Sequence, residues 1–303
     1  MRVLVTGGHG YLGRHVVDGL LERGHAVVDY NRDVDPGPRH ALHTPVLGEI
    51  GDVPRLLTVV REYGVERIVH TAAQSHPDIS LEMPLATVEA NITGTCTVLE
   101  AARLSAVRRV VVFSSECAYG HTPPGSVPES APLRPRTPYG VTKAATEMLG
   151  LAYNECFGLD VIALRVSEVY GPGQRLQEEV RDAARAAVHG ETLRLPRGRD
   201  QRLQLVHVDD AARATLTACL IEAHTTAVFN ITGGIQPTFG EVLDLLAELV
   251  PGATFEVGPG DLGGDRQGLF EIDAARRELG YVPRVDLRSG LRDYVEWLRH
   301  AEY

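Results

Sequence analysis

The stretch RVLVTGGHGYLG, residues 2–13, decides the fold of this chain. Its apolar start, Arg2–Thr6, predicts a buried strand, and the helical pattern Tyr11–Arg23 follows directly. Gly7, Gly10 and Gly13 follow at the spacing G-x-x-G-x-x-G across the turn and the start of the helix. Such a turn needs a positive φ, a backbone that approaches a pyrophosphate and tight helix packing, each of which a Cβ obstructs. The stretch therefore predicts a dinucleotide site, with the pyrophosphate on free N–H groups at the helix N-terminus.

Short β-branched runs alternate with longer segments of helical period, which is typical of strand–helix–strand units in a parallel sheet. The predicted strands are Arg2–Thr6, Ala26–Tyr30, Arg67–Thr71, Arg109–Phe113 and Val161–Leu164. The predicted helices include Tyr11–Arg23, Pro84–Leu104, Pro138–Phe157 and Glu241–Leu249. We therefore expect an α/β fold, a Rossmann-type, doubly wound parallel sheet with a smaller C-terminal substrate domain.

After the segment YGPG, residues 170–173, the alternation becomes less regular. We expect a dinucleotide-binding domain of residues 1–165 and 204–232, and a substrate domain of residues 166–203 and 233–303. In this division the strand Leu203–Val208 returns to the first domain. The two long predicted helices leave two interpretations open: they pack against a second copy in a homodimer, or they only cover the sheet of a monomer.

The composition excludes several classes of protein. The 303 residues include 30 Lys and Arg against 40 Asp and Glu, without the basic stripe that nucleic acid recruits. No apolar run approaches the ~20 residues of a membrane span, and the first residues do not resemble a signal peptide, so we expect a cytoplasmic protein. The 4 cysteines form no C-x-x-C pair and the 12 histidines no H-E-x-x-H motif, so no metal site is predicted.

The end of the second predicted strand bears on the choice between NAD and NADP. An acidic residue there normally accepts the adenosine ribose hydroxyls, and this chain has Asn31 followed by Arg32. Asn31 hydrogen-bonds a ribose without repelling a 2′-phosphate, and Arg32 either pairs with that phosphate or merely stacks on adenine or points to solvent. The cofactor is therefore NAD or NADP. Further on, Glu49 and Ile50 are candidate adenine contacts, and Asp52 is a predicted helix N-cap.

A second motif, YGVTK, places Tyr139 and Lys143 on one face of a predicted helix. A Tyr titrates near ~10, but a Lys cation and an oxidised nicotinamide favour its phenolate. The phenolate can take the proton of a carbinol as hydride leaves. Upstream, a predicted strand ends in hydroxyls at the edge where ligands bind to parallel sheets, so Ser115 is a candidate to orient the reacting oxygen rather than only to cap the strand.

The chain resembles the extended short-chain dehydrogenase/reductases, the epimerase and dehydratase superfamily, over nearly its whole length. The matching stretches are TGGHGYLG, HTAAQSHPDIS, ANITGT, VVFSSECAYG, TPYGVTK, LRVSEVYGPG, LVHVDD and ELGYVPRVDLRSGL. The resemblance implies an NAD(P)-dependent enzyme of a superfamily that acts mostly on nucleotide-sugars, with Ser115, Tyr139 and Lys143 as its triad. It also implies cofactor contacts by Gly7, Gly10, Tyr11, Leu12, Gly13, Thr71, Ala72, Ala73 and Asn91, with His70–Ala73 along the nicotinamide.

Two residues bear on the type of reaction. The stretch AAQSHPDIS resembles the hexose-dehydratase branch, whose members place an Asp or Glu pair directly after the triad hydroxyl as acid and base. Here those positions are Glu116 and Cys117. Glu116 is a candidate acid, whereas Cys117 is a base only if its thiolate is favoured, and a free Cys is more commonly a small buried residue. The sequence therefore favours epimerisation or simple redox chemistry over dehydration.

Nucleotide-sugar enzymes of this superfamily usually carry polar groups for the diphosphate at three places, and this chain departs at all three. An Arg is expected at Leu203, where Arg202 is the neighbour, and another is expected at Gly258, for which Arg266 is a replacement. The substrate candidates are Gln74, Ser115, Glu116, Cys117, Glu168, Arg202 and Arg266. Glu168 stands where an Asn is expected, and a carboxylate repels a diphosphate. Two interpretations remain: a nucleotide-sugar epimerase, or a dehydrogenase or reductase for a polyol, sugar acid or secondary metabolite. The intact triad argues against a third, a non-catalytic dinucleotide sensor.

Overall fold

The computed structural model describes residues 1–33 and 40–301. The strands are β1 (Arg2–Thr6), β2 (Ala26–Asn31), β3 (His43–Leu47), β4 (Arg67–His70), β5 (Arg109–Ser115), β6 (Ser126–Val127), β7 (Val161–Val166), β8 (Glu168–Tyr170), β9 (Thr192–Leu195), β10 (Leu205–His207), β11 (Val228–Ile231), β12 (Thr254–Val257) and β13 (Leu269–Phe270). The helices are α1 (Tyr11–Glu22), α2 (Val53–Glu62), α3 (Pro77–Glu82), α4 (Pro84–Val88), α5 (Gly94–Leu104), α6 (Pro138–Phe157), α7 (Glu179–His189), α8 (Val208–Leu220), α9 (Phe239–Leu249), α10 (Asp273–Leu279) and α11 (Leu287–His300). Within these described ranges, none of the helices has the length and apolar character required to cross a membrane.

Seven strands form one parallel sheet in the order β11-β7-β5-β4-β1-β2-β3. The order reverses at β1, with β2 and β3 on one side and the other four strands on the other. The carboxyl ends of parallel strands share one edge, and ligands bind there in the crevice where the order reverses. The predicted α/β, Rossmann-type fold class is confirmed, and both the glycine-rich turn and Ser115 lie at this edge.

Strand β1 shows how the sequence covers both faces of the sheet. Val3 and Val5 join a core with α1 and α8, whereas Leu4 joins the core on the other face with α2 and α5. All three side chains are 0% exposed. A parallel sheet flanked by helices needs such a continuous apolar run, since each face removes apolar surface from water and thereby stabilises the fold.

Most predicted elements are present with small changes at their ends. The predicted helix Pro84–Leu104 is helical throughout, but a π-helical turn, Glu89–Thr93, separates α4 from α5. Asp52 caps α2 as predicted, because its carboxylate accepts the Arg55 N–H at 2.9 Å. Strand β3 was not predicted. It contains Pro45, which argues against a central strand but is tolerated at the edge position that β3 occupies.

The strand predicted at Leu203–Val208 does not return to the large sheet. Its ordered part, β10, pairs with β8 in a separate two-stranded parallel sheet. Val206 of β10 already belongs to the core beneath β1, and α8 packs against α1 and adds Ala211 and Ala214 to the same core. Strand β11 then pairs with β7. An apolar run identifies a buried strand but not its pairing partner, and the return of this strand to the first domain stays a prediction.

A third core lies around α7, α9 and α11. Its fully buried members include Val180, Phe239, Leu243 and Leu291. Strands β9 and β12 form a two-stranded parallel sheet whose partly buried side chains, such as Leu193 and Phe255, pack against this core. These elements begin after β8, so the segment between β8 and α7 connects them to the carboxyl edge of the large sheet.

Candidate active site

The turn after β1 forms a cradle that only glycines can line. Gly7 has a φ of 74°, and a Cβ at Gly13 would lie 2.2 Å from the Gly7 carbonyl oxygen. Gly10 is the N-cap of α1, and the described first turn of α1 has neither a side-chain cap nor an acidic residue. The first N–H groups of α1 are therefore available to an anion, whose charge the helix dipole stabilises. The arrangement fits the pyrophosphate of a dinucleotide.

A polar cluster ties the end of β2 to this cradle. Asn31 accepts a hydrogen bond from the His9 N–H at 3.2 Å and donates one to Asp29 at 2.6 Å. The buried Asp29 carboxylate also lies 3.3 Å from the ring nitrogens of His9 and His43. Asn31 therefore lies against the glycine-rich turn, at the position where a ribose contact was predicted.

The other residues predicted near the cofactor are spread more widely. Arg32 is exposed and lies 3.7 Å from the Asp33 carboxylate. Ile50 packs against the core of α2 and α5. The carbonyl of the exposed Glu49 accepts the Tyr30 hydroxyl at 3.0 Å.

Residues at the start of α1 contact both the core and the segment after β8. Tyr11 donates to the Gly171 carbonyl at 3.0 Å, and His15 hydrogen-bonds the Pro172 carbonyl at 3.3 Å. Leu12 packs on the core beside α1.

Ser115 and Tyr139 meet where β5 ends and α6 begins. Both are buried, with 6% and 8% of their surfaces exposed. Ser80 of α3 fixes the start of α6 by accepting the Tyr139 N–H at 3.1 Å. A Cβ at Gly140 would lie 2.5 Å from the Cys117 carbonyl oxygen. Glycine at that position therefore lets the catalytic helix start directly against the turn that follows β5.

Lys143 lies one turn after Tyr139 on the same face of α6. Its Nζ atom is 5.6 Å from the centre of the Tyr139 ring and donates to the Phe113 carbonyl at 3.2 Å. Burial lowers the pKa of Lys143 to about 8. Burial and the neighbouring Cys117 raise the pKa of Tyr139, while a hydrogen bond with Ser115 opposes that rise. The phenol is therefore protonated at neutral pH until a further positive charge beside it favours the phenolate.

The 3₁₀ turn Glu116–Ala118 brings two further groups to the triad. Both Glu116 and Cys117 are half-buried, and the Cys117 N–H donates to the Ser115 hydroxyl at 3.2 Å. Burial and the charges of Glu178 and Asp265 raise the pKa of Glu116 to about 8, so it is an acid at neutral pH. Burial and Glu116 raise the pKa of Cys117 to about 12, so its thiol is not a base at neutral pH.

Acidic side chains form one wall of the site, which we call the acidic wall: Glu168, Glu178 and Glu179. Their carboxylate oxygens lie within 4.8 Å of one another. The Oε1 atom of Glu168 is buried without a hydrogen-bond partner among residues 1–33 and 40–301, and Glu178 lies 3.5 Å from the His76 ring. Burial and neighbouring carboxylates raise the pKa of Glu178 to about 8 and that of Glu168 well above its usual value. Both side chains are therefore mostly protonated at neutral pH, and the acidic wall opposes a bare anion increasingly as the pH rises and its carboxyl groups ionise.

The arginines considered as diphosphate ligands lie at the surface. Arg202 donates to the Gln236 carbonyl at 3.5 Å, and Arg266 is 81% exposed and pairs with Asp261 at 2.9 Å. Neither contact involves the triad or the acidic wall. Gln74, in contrast, is held inside the protein, because its N–H donates to the Asn91 side chain at 2.8 Å.

The sequence analysis missed Ser80, Asp265 and two members of the acidic wall, Glu178 and Glu179. The pair of glutamates directly precedes and starts α7, where acidic residues are common because they complement the helix dipole. The sequence therefore offers an ordinary explanation for both. Only tertiary packing shows that they face Glu168, which is part of a different element.

A buried Tyr–Lys pair beside a glycine-lined cradle, at the carboxyl edge of a doubly wound sheet, defines a dinucleotide-dependent enzyme. The model of the NAD dependent epimerase/dehydratase family matches residues 3–232. The chain belongs to this family, and the resemblance found in the sequence is confirmed.

Individual relatives agree with this assignment. The dTDP-glucose 4,6-dehydratase of Streptomyces antibioticus is 31% identical, over 99% of this chain and 92% of its own. The UDP-glucose 4-epimerase of Mycolicibacterium smegmatis is 32% identical, over 99% of both chains. The solved structure of the Thermus thermophilus UDP-glucose 4-epimerase in complex with NAD has a TM-score of 0.89 and 29% identity over 100% of both chains. A nicotinamide dinucleotide is therefore bound by a relative with the same fold.

Proposed function

We propose that this protein is an epimerase that oxidises a carbinol of a nucleotide-sugar and returns the hydride to the opposite face. The observation that carries the proposal is the buried Tyr139, placed against Ser115 and Lys143 at the same sheet edge as the glycine-lined cradle. NAD or NADP supplies the hydride acceptor when bound. Similarity to UDP-glucose 4-epimerases over the whole chain supports the choice of substrate.

Each member of the triad has a proposed role. The Tyr139 Oη atom takes the carbinol proton and later returns it, and the Ser115 hydroxyl orients the reacting oxygen. Lys143 holds the nicotinamide ribose and favours the phenolate through its charge. With its pKa lowered only to about 8, Lys143 still carries that charge at pH 7. The proposed cofactor contacts remain those of the cradle, Asn31 and the loop Thr71–Ala73.

Cys117 is the reason to propose epimerisation rather than dehydration. Elimination needs an acid for the leaving hydroxyl and a base for the C–H bond beside the new carbonyl. Glu116 is protonated at neutral pH and suits the first role, but the Cys117 thiol, with a pKa raised to about 12, does not suit the second. The proposal therefore separates this chain from its dehydratase relatives in the reaction, although it shares their fold.

The proposal is tested by incubating the protein with NAD and UDP-glucose or dTDP-glucose and following the sugar by proton NMR. We expect a C4 epimer and no 4-keto-6-deoxy sugar, with Tyr139→Phe as the inactive control. Accumulation of the keto sugar contradicts the assignment to epimerisation. If no nucleotide-sugar is turned over while NADH still binds, the substrate proposal fails and the second candidate gains.

The acidic wall favours a second candidate, a dehydrogenase or reductase for a substrate without a diphosphate. The three carboxyl groups of the wall, within 4.8 Å of one another, oppose an anion whenever they ionise, unless a cation accompanies it. Thermal unfolding with saturating NAD, with and without UDP or dTDP and each with and without Mg²⁺, separates the two candidates. A nucleoside diphosphate that raises the unfolding midpoint beyond NAD alone supports the first. The absence of any such rise supports the second, and sugar acids and polyols are then screened for NADH formation.

We further propose a homodimer formed by α4 and α6. Large apolar side chains are exposed on these neighbouring helices, including Leu85 at 83%, Met148 at 58% and Val141 at 50%. Such a contiguous apolar surface is typical of an interface. Light scattering after gel filtration is expected to give twice the chain mass for the wild type and a monomer for Leu85→Glu/Met148→Glu. A control is Val282→Glu, which changes an apolar residue that is 50% exposed and lies outside these helices.

The division into two domains and the cytoplasmic location stay predictions. The separate core around Phe239 and Leu291 supports a substrate domain within residues 166–203 and 233–303, whereas Ile272 and Leu279 of that range pack in the core beneath β1. Limited proteolysis, in which cleavage near the predicted boundaries leaves the sheet-forming fragments intact, tests the division. Fractionation of cells that express the protein tests the location.

A further inference from the structure

A buried series of polar side chains runs from the glycine-rich turn to the catalytic helix, and we call it the threonine–histidine bridge: Thr6, His70, Thr95 and Thr146. The Thr6 hydroxyl lies 2.8 Å from His70 Nδ1, and His70 Nε2 lies 3.2 Å from the Thr95 hydroxyl. The Thr95 hydroxyl lies 3.3 Å from that of Thr146 on α6. Since these side chains are only 0%, 4%, 1% and 3% exposed, bulk water does not compete for the bonds.

The hydrogen bonds at either side fix the direction of the bridge. The Thr6 hydroxyl accepts the Ala72 N–H at 3.3 Å, which leaves its proton for His70 Nδ1. The Thr95 hydroxyl donates to the Asn91 carbonyl at 2.5 Å, so it accepts from His70 Nε2. A neutral imidazole has one donor and one acceptor, and both are satisfied in the Nε2–H tautomer. Burial and Lys143 lower the pKa of His70 to about 3, so the ring stays neutral throughout the physiological range.

The π-helical turn Glu89–Thr93 anchors the far end of the bridge. The Asn91 carbonyl accepts the hydroxyls of both Thr95 and Thr146, at 2.5 and 3.2 Å, so this one oxygen joins the two threonines whose hydroxyls lie 3.3 Å apart. The Asn91 side-chain amide donates to the Thr142 hydroxyl at 2.9 Å. Thr142 and Thr146 stand on either side of Lys143 along α6, so the bridge holds the part of the helix that carries the catalytic ammonium.

We propose that His70 is a positioning residue that couples the glycine-rich turn to α6, and so sets the placement of Tyr139 and Lys143 relative to the bound dinucleotide. The inference rests on the proposed dinucleotide-dependent chemistry of that site. Thr6 directly precedes Gly7 in the cradle, and Thr146 lies less than one helical turn beyond Lys143. A rigid connection of this length matters because small displacements of a proton-transfer group slow the reaction steeply.

The test uses the substitution Thr95→Val, which removes the central hydroxyl and keeps a β-branched side chain, and His70→Phe, which removes both ring contacts. A matched control is Thr97→Val on the same helix, where the side chain is also buried, at 4% exposure, and the hydroxyl donates to the Thr93 carbonyl at 3.1 Å rather than contacting His70 or α6. Two quantities are measured on the NAD complex: the titration midpoint of the Tyr139 phenol, from ultraviolet difference spectra against Tyr139→Phe, and the dissociation constant of NADH.

We expect Thr95→Val and His70→Phe to raise the Tyr139 midpoint by about half a pH unit or more, since the Lys143 charge is displaced from the phenol. Turnover is expected to fall about tenfold, with the NADH dissociation constant within about threefold of the wild type. Thr97→Val is expected to change none of these. His70→Gln, whose amide also offers one donor and one acceptor direction, is expected to recover part of the loss.

The proposal is wrong if a folded Thr95→Val titrates and turns over like Thr97→Val, or if it weakens NADH binding alone and leaves the Tyr139 midpoint unchanged. Should His70→Phe fail to fold, Thr95→Val and Thr146→Val decide the matter in the same way. A wild-type complex with no titration attributable to Tyr139 contradicts the proposed function and the bridge together. A normal wild-type titration that Thr95→Val leaves unchanged contradicts the bridge alone.

Discussion

The glycine-lined cradle and the acidic wall belong to the same edge of the molecule but are built in opposite ways. The cradle consists of backbone from one continuous stretch, β1 to the first turn of α1, and it offers N–H groups to an anion. The acidic wall consists of side chains from β8 and from the start of α7, and it offers carboxylates. Local chain geometry thus builds the cradle, whereas we propose that side chains from distant segments determine which substrate is accepted.

The largest expected effect comes from removing the hydroxyl of Tyr139, the proposed proton acceptor. Tyr139→Phe is expected to lower kcat by about 10²- to 10⁴-fold, because the proton acceptor is lost. The cradle is untouched, so the NADH dissociation constant is expected to stay within about twofold, since no contact of the binding turn changes. Steady-state kinetics and NADH fluorescence measure the two. Turnover near the wild-type level in the variant contradicts the role given to Tyr139.

The cradle itself is tested by Gly13→Ala. The new Cβ would lie 2.2 Å from the Gly7 carbonyl oxygen, so the turn must shift away from the pyrophosphate position. We expect NADH affinity to fall by about tenfold or more, a cost of at least about 1.4 kcal/mol. The control is Gly264→Ala, where an added Cβ meets no atom within 4 Å. Equal NADH affinities for the two variants show that the cradle does not depend on this glycine.

The acidic wall is tested by Glu168→Asn, which removes one of the crowded carboxylates. We expect the affinity for UDP in the presence of NAD to rise by up to about tenfold at pH 9 and low salt, where the wall is more ionised. The rise should be smaller at pH 7, where protonation removes the repelling charge, and at high salt, which screens it. Glu191→Gln is a control at an exposed position after α7. Isothermal titration calorimetry measures both. An unchanged affinity for UDP places the diphosphate away from Glu168.

The smallest expected effect concerns pH. The pKa of Glu116 is raised from 4.5 to about 8 in the fold, so the folded state prefers the protonated acid. The wild type therefore loses this contribution to stability as the pH rises from about 4.5 to about 8, whereas Glu116→Gln does not. We expect the difference in Tm, variant minus wild type, to increase by about 3 °C between pH 5 and pH 8. Differential scanning calorimetry measures it, and a pH-independent difference argues that Glu116 has an ordinary pKa.

The sequence was sufficient for the features that depend on local chain geometry. The glycines at 7, 10 and 13 and the Tyr139–Lys143 spacing each lie within one short segment, and β1, α1 and α6 are present where they were predicted. The sheet topology followed from the alternation of strands and helices. Strand β10 shows the limit, because its apolar run indicated burial but not that β8 would be its partner.

The features that the sequence did not predict depend on contacts between distant segments. His70 was expected along the nicotinamide, but its hydrogen bonds to Thr6 and Thr95 span 64 and 25 residues. Cys117 was recognised as an unusual neighbour of the triad, yet its raised pKa depends on burial, which no sequence pattern reports. The sequence predicted the fold, but it did not predict the hydrogen-bond partners or the burial of these side chains.

The bond from the Tyr11 hydroxyl to the Gly171 carbonyl has a kinetic consequence. Tyr11 begins the helix whose N-terminus faces the dinucleotide phosphates, and Gly171 begins the segment that leads to α7. We expect a bound dinucleotide to steady this segment, and association to be ordered, with the dinucleotide binding before the sugar and leaving after it. An epimerase returns the hydride to the sugar in every cycle, so the dinucleotide ends each cycle oxidised and need not exchange with the solution. We expect it to stay with the protein through purification, as a resident group rather than an exchanging cosubstrate.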